Sequence, residues 1–229
     1  MSADRDFARE LYPFLYARAE GDATPVAALL ASVRGSTLAK CAEVVALRTE
    51  LLAEYEEQLG RAADAMAERF ADGGRLLAFG NGGSATDADD AAADCMCPPH
   101  FEWRALPALS LPSDSATVTA LANDVGLDAV FARQLGAIGE THDIALGIST
   151  SGNSGNVVAA FTEAKRRGLL TIALTGYDGG AVARTGAVDF CFVARREFVP
   201  RIQEGHATLW HTMLELVQDS LAARMEAVA

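Results

Sequence analysis

Cysteine is scarce in this chain of 229 residues, which holds only Cys41, Cys95, Cys97 and Cys191. Four are too few for a disulfide-stapled scaffold in a chain able to build a core, so reduced thiols are expected. Cys95 and Cys97 with His100 suggest zinc, yet the second ligand pair of a structural zinc site is missing. Positive charge is also in short supply, with 19 Lys and Arg against 31 Asp and Glu and a net charge of −12. Nonspecific nucleic-acid binding and adhesion to an anionic membrane both need a basic face, and neither is expected. Long apolar runs are absent: the most apolar stretches, residues 76–79 and 144–148, are strand-sized, far short of the roughly 20 residues of a membrane span. The opening MSADRDFARELYPF lacks a basic segment followed by an apolar one, so no signal peptide is expected and the cytoplasm is the expected compartment. What the chain does have is apolar side chains. They make up 50% of it, against 22% charged, enough to bury a core in one domain of this length.

Two patterns divide the sequence. Residues 1–22 and 24–72 read as largely helical, because Leu38, Cys41, Val44, Leu47, Leu51, Tyr55 and Leu59 recur in steps of three and four. Such a stripe needs a partner, either another subunit or the rest of the monomer. From Gly73 onward, short apolar runs end in Gly, Ser or Asn and lead into helical stretches. The expected strands are 75–79, 105–109, 144–148, 170–174 and 190–193. Helices are expected near 84–95, 115–121, 127–138, 153–167, 179–185 and 201–226. Near-continuous apolar strands alternating with helices indicate an α/β fold, a parallel sheet covered on both faces. The expected organisation is an N-terminal helical, oligomerising region over 1–72 and a single sheet-containing domain over 73–229. Ligands bind such folds beyond the carboxyl ends of the strands, which directs attention to the loops after Phe79, Leu109, Ile148 and Leu174.

Three of those loops are rich in chemistry. Gly80-Asn81-Gly82-Gly83-Ser84 joins a strand to a helix, where glycines admit a ligand close to the backbone and free amides attract anions. Its spacing matches neither a dinucleotide fingerprint nor a nucleotide triphosphate loop. Ser149-Thr150-Ser151-Gly152-Asn153-Ser154 sets four hydroxyls around one glycine at a helix start, a phosphate cradle that needs no basic side chain. Leu174-Thr175-Gly176-Tyr177-Asp178-Gly179-Gly180 reads as a pocket wall or a plain turn. On the helix after the first loop, Asp90 and Asp94 share a face at i, i+4, read either as a site or as a solvated acidic surface. On the last helix Gln203 and His211, a little over two turns apart, also nearly share a face. His206, about 140° around the helix from His211, reads as structural or interfacial. His100 and His142 read as surface residues.

The stretches GNGGSATDADDAAAD, LANDVGLDAVFARQL, GISTSGNSGNVVAAF, LTGYDGG and RIQEGHATLWH, in this order, resemble the sugar isomerase (SIS) domain family and within it the phosphoheptose isomerases. The resemblance implies a flavodoxin-like, doubly wound parallel sheet of about five strands with N-terminal helices. It implies a homotetramer with active sites at subunit interfaces, and metal-assisted interconversion of a ketose and an aldose heptose phosphate through an enediol. By the same resemblance Ser149, Thr150, Ser151 and Ser154 hold the phosphate, while Asn81, Gly82, Gly83, Ser84, Asp124 and Gln203 meet the sugar. Asp94 and His211 would be the catalytic base and acid. Asp90, Asp94, Gln203 and His211 occupy the family's metal positions, where Asp90 and Asp94 replace a His and a Glu. That harder donor set makes manganese as plausible as zinc. The family also contains non-catalytic proteins that associate with a replication initiator, and a sugar-phosphate-sensing module is a third role. The retained His211 and an acidic residue at 94 favour the enzyme.

Overall fold

A computed structural model describes residues 26–226 of the chain, and the expectation of a helix over 1–22 lies outside them. The chain divides into two compact units, Met1–Ala42 and Glu43–Ala229. Residues 26–42 of the first are helical and leave Val26, Leu29, Leu30, Val33 and Leu38 exposed.

The helix that starts there, α1 (Val26–Ala71), continues into the second unit. From Leu47 its inner face follows the three-four step through Leu51, Tyr55, Leu59, Ala63, Met66 and Phe70, all buried in the monomer. The stripe read from sequence therefore divides. Leu38 and Cys41 are exposed, whereas Leu47 to Leu59 pack on the sheet side, with the Tyr55 ring edge-on to Phe192 at 5.4 Å.

Five parallel strands follow: β1 (Leu76–Gly80), β2 (Ala108–Ser110), β3 (Ile144–Ser149), β4 (Leu170–Gly176) and β5 (Phe190–Ala194), in the order β2-β1-β3-β4-β5. Between them run α2 (Gly83–Met96), α3 (Ser115–Asp124), α4 (Val130–Ile138), α5 (Gly155–Arg167) and α6 (Gly180–Arg184), and α7 (Val199–Glu226) closes the unit. The strands fall within a residue or two of the expected ones, except β2. Pro107 has no N–H to give the ladder, so pairing starts with Ala108 opposite Leu76 rather than at residue 105. Residues 127–129 form a 3-10 turn rather than the first turn of the expected helix, after Gly126 at φ 105°. In α3, Asp114 caps the N-terminus by accepting from the amides of Ala116 and Thr117.

Because side chains alternate along each strand, the sheet has two apolar faces and so two cores. Leu76, Ala78, Leu146, Ile148, Ile172 and Leu174 pack against α1, α2 and α7. Leu77, Phe79, Ala145 and Ala173 pack against α4, α5 and α6. In the second core the Phe79 ring stands 5.6 Å from Phe131 and 5.3 Å from Phe161. Two of these rings cross directly over Gly147, where a Cβ would come within 2.3 Å of Phe161 and 2.7 Å of Phe79. Among the described residues, no helix is long and apolar enough to cross a membrane.

Chain order fixes where a site can form. The chain steps from β1 outward to β2, then returns across to β3 on the other side of β1. At that reversal the loops leaving β1 and β3 lie side by side and open a crevice at their carboxyl ends. Gly147→Ala should overpack the α5 side of the sheet and cost about 1–3 kcal/mol. For a chain of this size that lowers the melting temperature by several degrees, roughly 2–4 °C per kcal/mol, measurable by calorimetry.

Candidate active site

The two loops at the reversal are joined by an amide pair. Asn81 and Asn156 each donate to the other at 2.8 Å, tying the loop after β1 to the first turn of α5. The loop after β3 is tied in turn to the one after β4. Gly152, at φ 63°, comes so near the chain that a Cβ would lie 2.1 Å from the Gly179 carbonyl oxygen. The amide of Val182 donates to the Gly152 carbonyl and that of Ala181 to Asn153 Oδ1, both at 2.9 Å. Within the cradle, Ser149 is buried and its Oγ stands 3.3 Å from Ser154 Oγ, while Ser151 Oγ accepts from the Asn153 amide. Ser154 precedes α5 and makes no capping bond, so its hydroxyl is not spent on that helix. Hydroxyls and a helix N-terminus suit an anion.

The crevice is walled by α2 and α7. A cavity of about 70 Å³ lies there, bounded by Ile148 and Leu174 at the strand ends, Asp87 and Asp90 on α2, and Trp210 and His211 on α7. Asp94 Oδ2 accepts from Trp210 Nε1 at 3.0 Å and stands 3.6 Å from His211 Nε2. Gln203 donates from Nε2 to Asp87 Oδ2 at 3.3 Å, and it approaches so closely that a Cβ on Gly83 would meet it at 2.4 Å. Burial raises the Asp87 carboxyl above its ordinary range. The Gln203 bond opposes that shift, and the neighbouring Asp90 adds to it. His206, also in this wall, is buried and directs Nε2 at the Thr175 carbonyl oxygen, 2.8 Å away. A wider groove of about 840 Å³ lies along α3, α4 and α5. It touches no strand end, and its Glu163 is already bonded to Arg166.

The comparisons with known proteins agree with this architecture. Residues 41–176 match the SIS domain model. The phosphoheptose isomerase of Thermodesulfovibrio yellowstonii is 43% identical over 179 residues, 78% of this chain and 88% of that one. That of Pelobacter propionicus is 47% identical over 158 residues, 69% and 82% of the two chains. The solved phosphoheptose isomerase of Neisseria gonorrhoeae superposes with a TM-score of 0.75 at 35% identity, over 82% of this chain and 99% of the other. The chain belongs to the phosphoheptose isomerase family. It is an enzyme of the aldose–ketose isomerase class, built on the SIS fold.

In this phosphoheptose isomerase family member the residues singled out by sequence are arranged unevenly. Ser149, Ser151 and Ser154 share the cradle with Thr150, and Asn81, Gly82, Gly83 and Ser84 form the adjoining loop. Asp124 ends α3, exposed, accepts from Asn123, and makes no hydrogen bond to either loop. Asp94 and His211 meet. Gln203 pairs with Asp87 rather than with Asp90 or Asp94, and among the described residues no three His, Cys, Asp or Glu side chains are grouped to hold a metal ion. Asp87, His206 and Trp210 belong to the site as well. The first two carry a spacing signal: Asp87 is three residues before Asp90 and seven before Asp94, and His206 is three after Gln203, so each shares a helix face with a residue already chosen. Trp210 carries the same signal, seven residues after Gln203 and four after His206.

Burial brings the His206 pKa down to about 4 from 6.5, with the Thr175 bond opposing. A depressed His takes up its proton in the unfolded chain first, so stability is full above pH 6.5 and falls as pH drops toward 4. Between pH 7 and 4 the wild type should lose about 3 kcal/mol more than His206→Gln, as read from urea unfolding at the two pH values.

Proposed function

We propose that this isomerase acts on a phosphorylated heptose, interconverting sedoheptulose 7-phosphate and the corresponding aldose phosphate. The observation that carries the reading is the approach of Asp94 Oδ2 to His211 Nε2, 3.6 Å apart, between α2 and α7. The cradle residues Ser149, Thr150, Ser151 and Ser154 hold the phosphate. Asn81, Ser84, Gln203 and Asp124 orient the sugar, and the carbonyl end enters the pocket. Asp94, fixed by Trp210, takes the proton from the hydroxyl-bearing carbon next to the carbonyl. The electron pair moves to form the enediol, and the proton returns to the adjacent carbon. His211 passes a proton between the two oxygens, so ketose and aldose differ only in the position of hydrogen.

A divalent metal, zinc or manganese, forms part of the proposal on the chemistry of its donors. Asp90, Asp94, Gln203 and His211 would be the donors; Asp90, Asp94 and His211 are not grouped to hold an ion in the arrangement described, so binding requires their side chains to move together. When bound it would polarise the substrate's carbonyl oxygen. The proposal extends to a cytoplasmic homotetramer with active sites at subunit interfaces, supported by the exposed Leu29, Leu30, Val33 and Leu38 of residues 26–42. Light scattering at micromolar concentration should report four subunits, and a monomer would contradict it.

The direct test incubates the protein, with zinc or manganese added, with sedoheptulose 7-phosphate and follows the aldose by NMR. Turnover supports the reading, and its absence turns the assignment to a scaffold or sensor. Ser151→Ala and Ser154→Ala should raise KM and leave kcat near wild type, since a phosphate remote from the reacting carbons is held alike in ground and transition states. Asp94→Asn and His211→Ala should lower kcat roughly 100- to 10,000-fold with the melting temperature kept. Asp94→Glu retains the acid and should keep or raise activity.

A further inference from the structure

The pocket contains an acceptor that neither the proton-handling pair nor the phosphate cradle uses. His206 is 1% exposed, and its Nε2 lies 2.8 Å from the Thr175 carbonyl oxygen at the end of β4. A carbonyl has no hydrogen to give, so Nε2 carries the proton. In the neutral ring that leaves Nδ1 as a bare lone pair. Among the buried side-chain nitrogen and oxygen atoms of the described residues, this Nδ1 alone lacks a hydrogen-bond partner. Such an atom costs stability unless a donor from outside the chain reaches it.

The surroundings say what kind of donor. The ring shares the pocket wall with the carboxylates of Asp87 and Asp90 and with the apolar ends of β3 and β4 at Ile148 and Leu174. Carboxylates and a bare imidazole nitrogen accept hydrogen bonds and repel anions, while aliphatic side chains suit a carbon chain. The cradle beside it is the opposite, offering hydroxyls and a helix N-terminus. A polyol phosphate fits this polarity in one direction only, with its phosphate in the cradle and its hydroxyls in the pocket.

We propose that His206 is a specificity-determining residue whose Nδ1 accepts a hydrogen bond from a hydroxyl of the bound sugar phosphate. The proposal rests on the reading of this pocket as the sugar site. His206→Gln keeps a donor where Nε2 stands and so retains the Thr175 bond, but it removes the acceptor at Nδ1. His206→Asn keeps an acceptor near Nδ1 and cannot reach Thr175.

The test is calorimetric titration of wild type and both variants with sedoheptulose 7-phosphate and, separately, with inorganic phosphate, alongside steady-state kinetics. For His206→Gln the sugar phosphate should bind about tenfold more weakly, with inorganic phosphate binding unchanged and KM rising more than kcat falls. For His206→Asn the preference for sugar phosphate over inorganic phosphate should persist at a lower melting temperature. If His206→Gln binds the sugar phosphate like wild type, or if the Asn variant loses the preference while the Gln variant keeps it, the residue only secures Thr175 and the proposal is overturned. Wild type that binds neither ligand would overturn the sugar-site reading and this proposal together, an outcome distinct from loss in the variants alone.

Discussion

Everything at the site depends on the return of the chain across β1 to form β3. That reversal sets two strand-to-helix loops side by side, and the paired amides of Asn81 and Asn156 hold them there at 2.8 Å. The amide pair is uncharged and gives each side chain one donor and one acceptor partner, so it adds no positive charge to the crevice. The interlock of Gly152 with Gly179 extends the same logic one strand further, since a side chain at Gly152 would collide with backbone. A loop of amides and hydroxyls whose shape is fixed beforehand suits an anion even in a chain of charge −12.

The two helices over the crevice divide their faces between stability and chemistry. On α2, Ala88, Ala91 and Cys95 are buried against the sheet, and burial pushes the Cys95 thiol up to about 12, which makes it inert. The small alanines let α2 lie close to the sheet, while Asp87 and Asp90 line the pocket and Asp94 meets Trp210 and His211. On α7, Ile202, Leu209, Met213 and Val217 enter the core. Gln203, Trp210 and His211 meet the acids of α2, so carboxylates from one helix find donors on the other. Rigid elements on both sides hold these contacts, which suits proton transfer, where an ångström of misplacement is expensive.

Much of this was legible in the sequence because it obeys simple periodicities. Buried parallel strands are uninterrupted apolar runs, so four of the five lie within a residue or two of the runs that announce them; β2 starts three residues later than its run because Pro107 has no N–H and the Leu106 amide donates to the Cys95 carbonyl oxygen instead. The gathering of hydroxyls ahead of α5 is legible as a run of Ser and Thr after an apolar strand. The stripe from Leu38 to Leu59 could not be divided from sequence, since identical apolar spacing serves a monomer core at Leu47 and an exposed face at Leu38. Side-chain partners were the least legible. Asp90 and Asp94 share a face with Asp87, and only the depth of burial shows that Asp87, not Asp90, takes Gln203. His206 stands about 140° around the helix from His211, and its neighbour on the helix face is Gln203, three residues before it.

Proton removal beside the carbonyl, with Asp94 as the base, is the central claim. Its most direct test is to incubate the protein with sedoheptulose 7-phosphate in deuterium oxide and observe the carbons next to the carbonyl by NMR. Deuterium should appear there with the wild type and fail to appear with Asp94→Asn. Aldose formation with no role for Asp94, shown by equal deuterium uptake in both proteins, would contradict it, as would the absence of both uptake and aldose with the wild type.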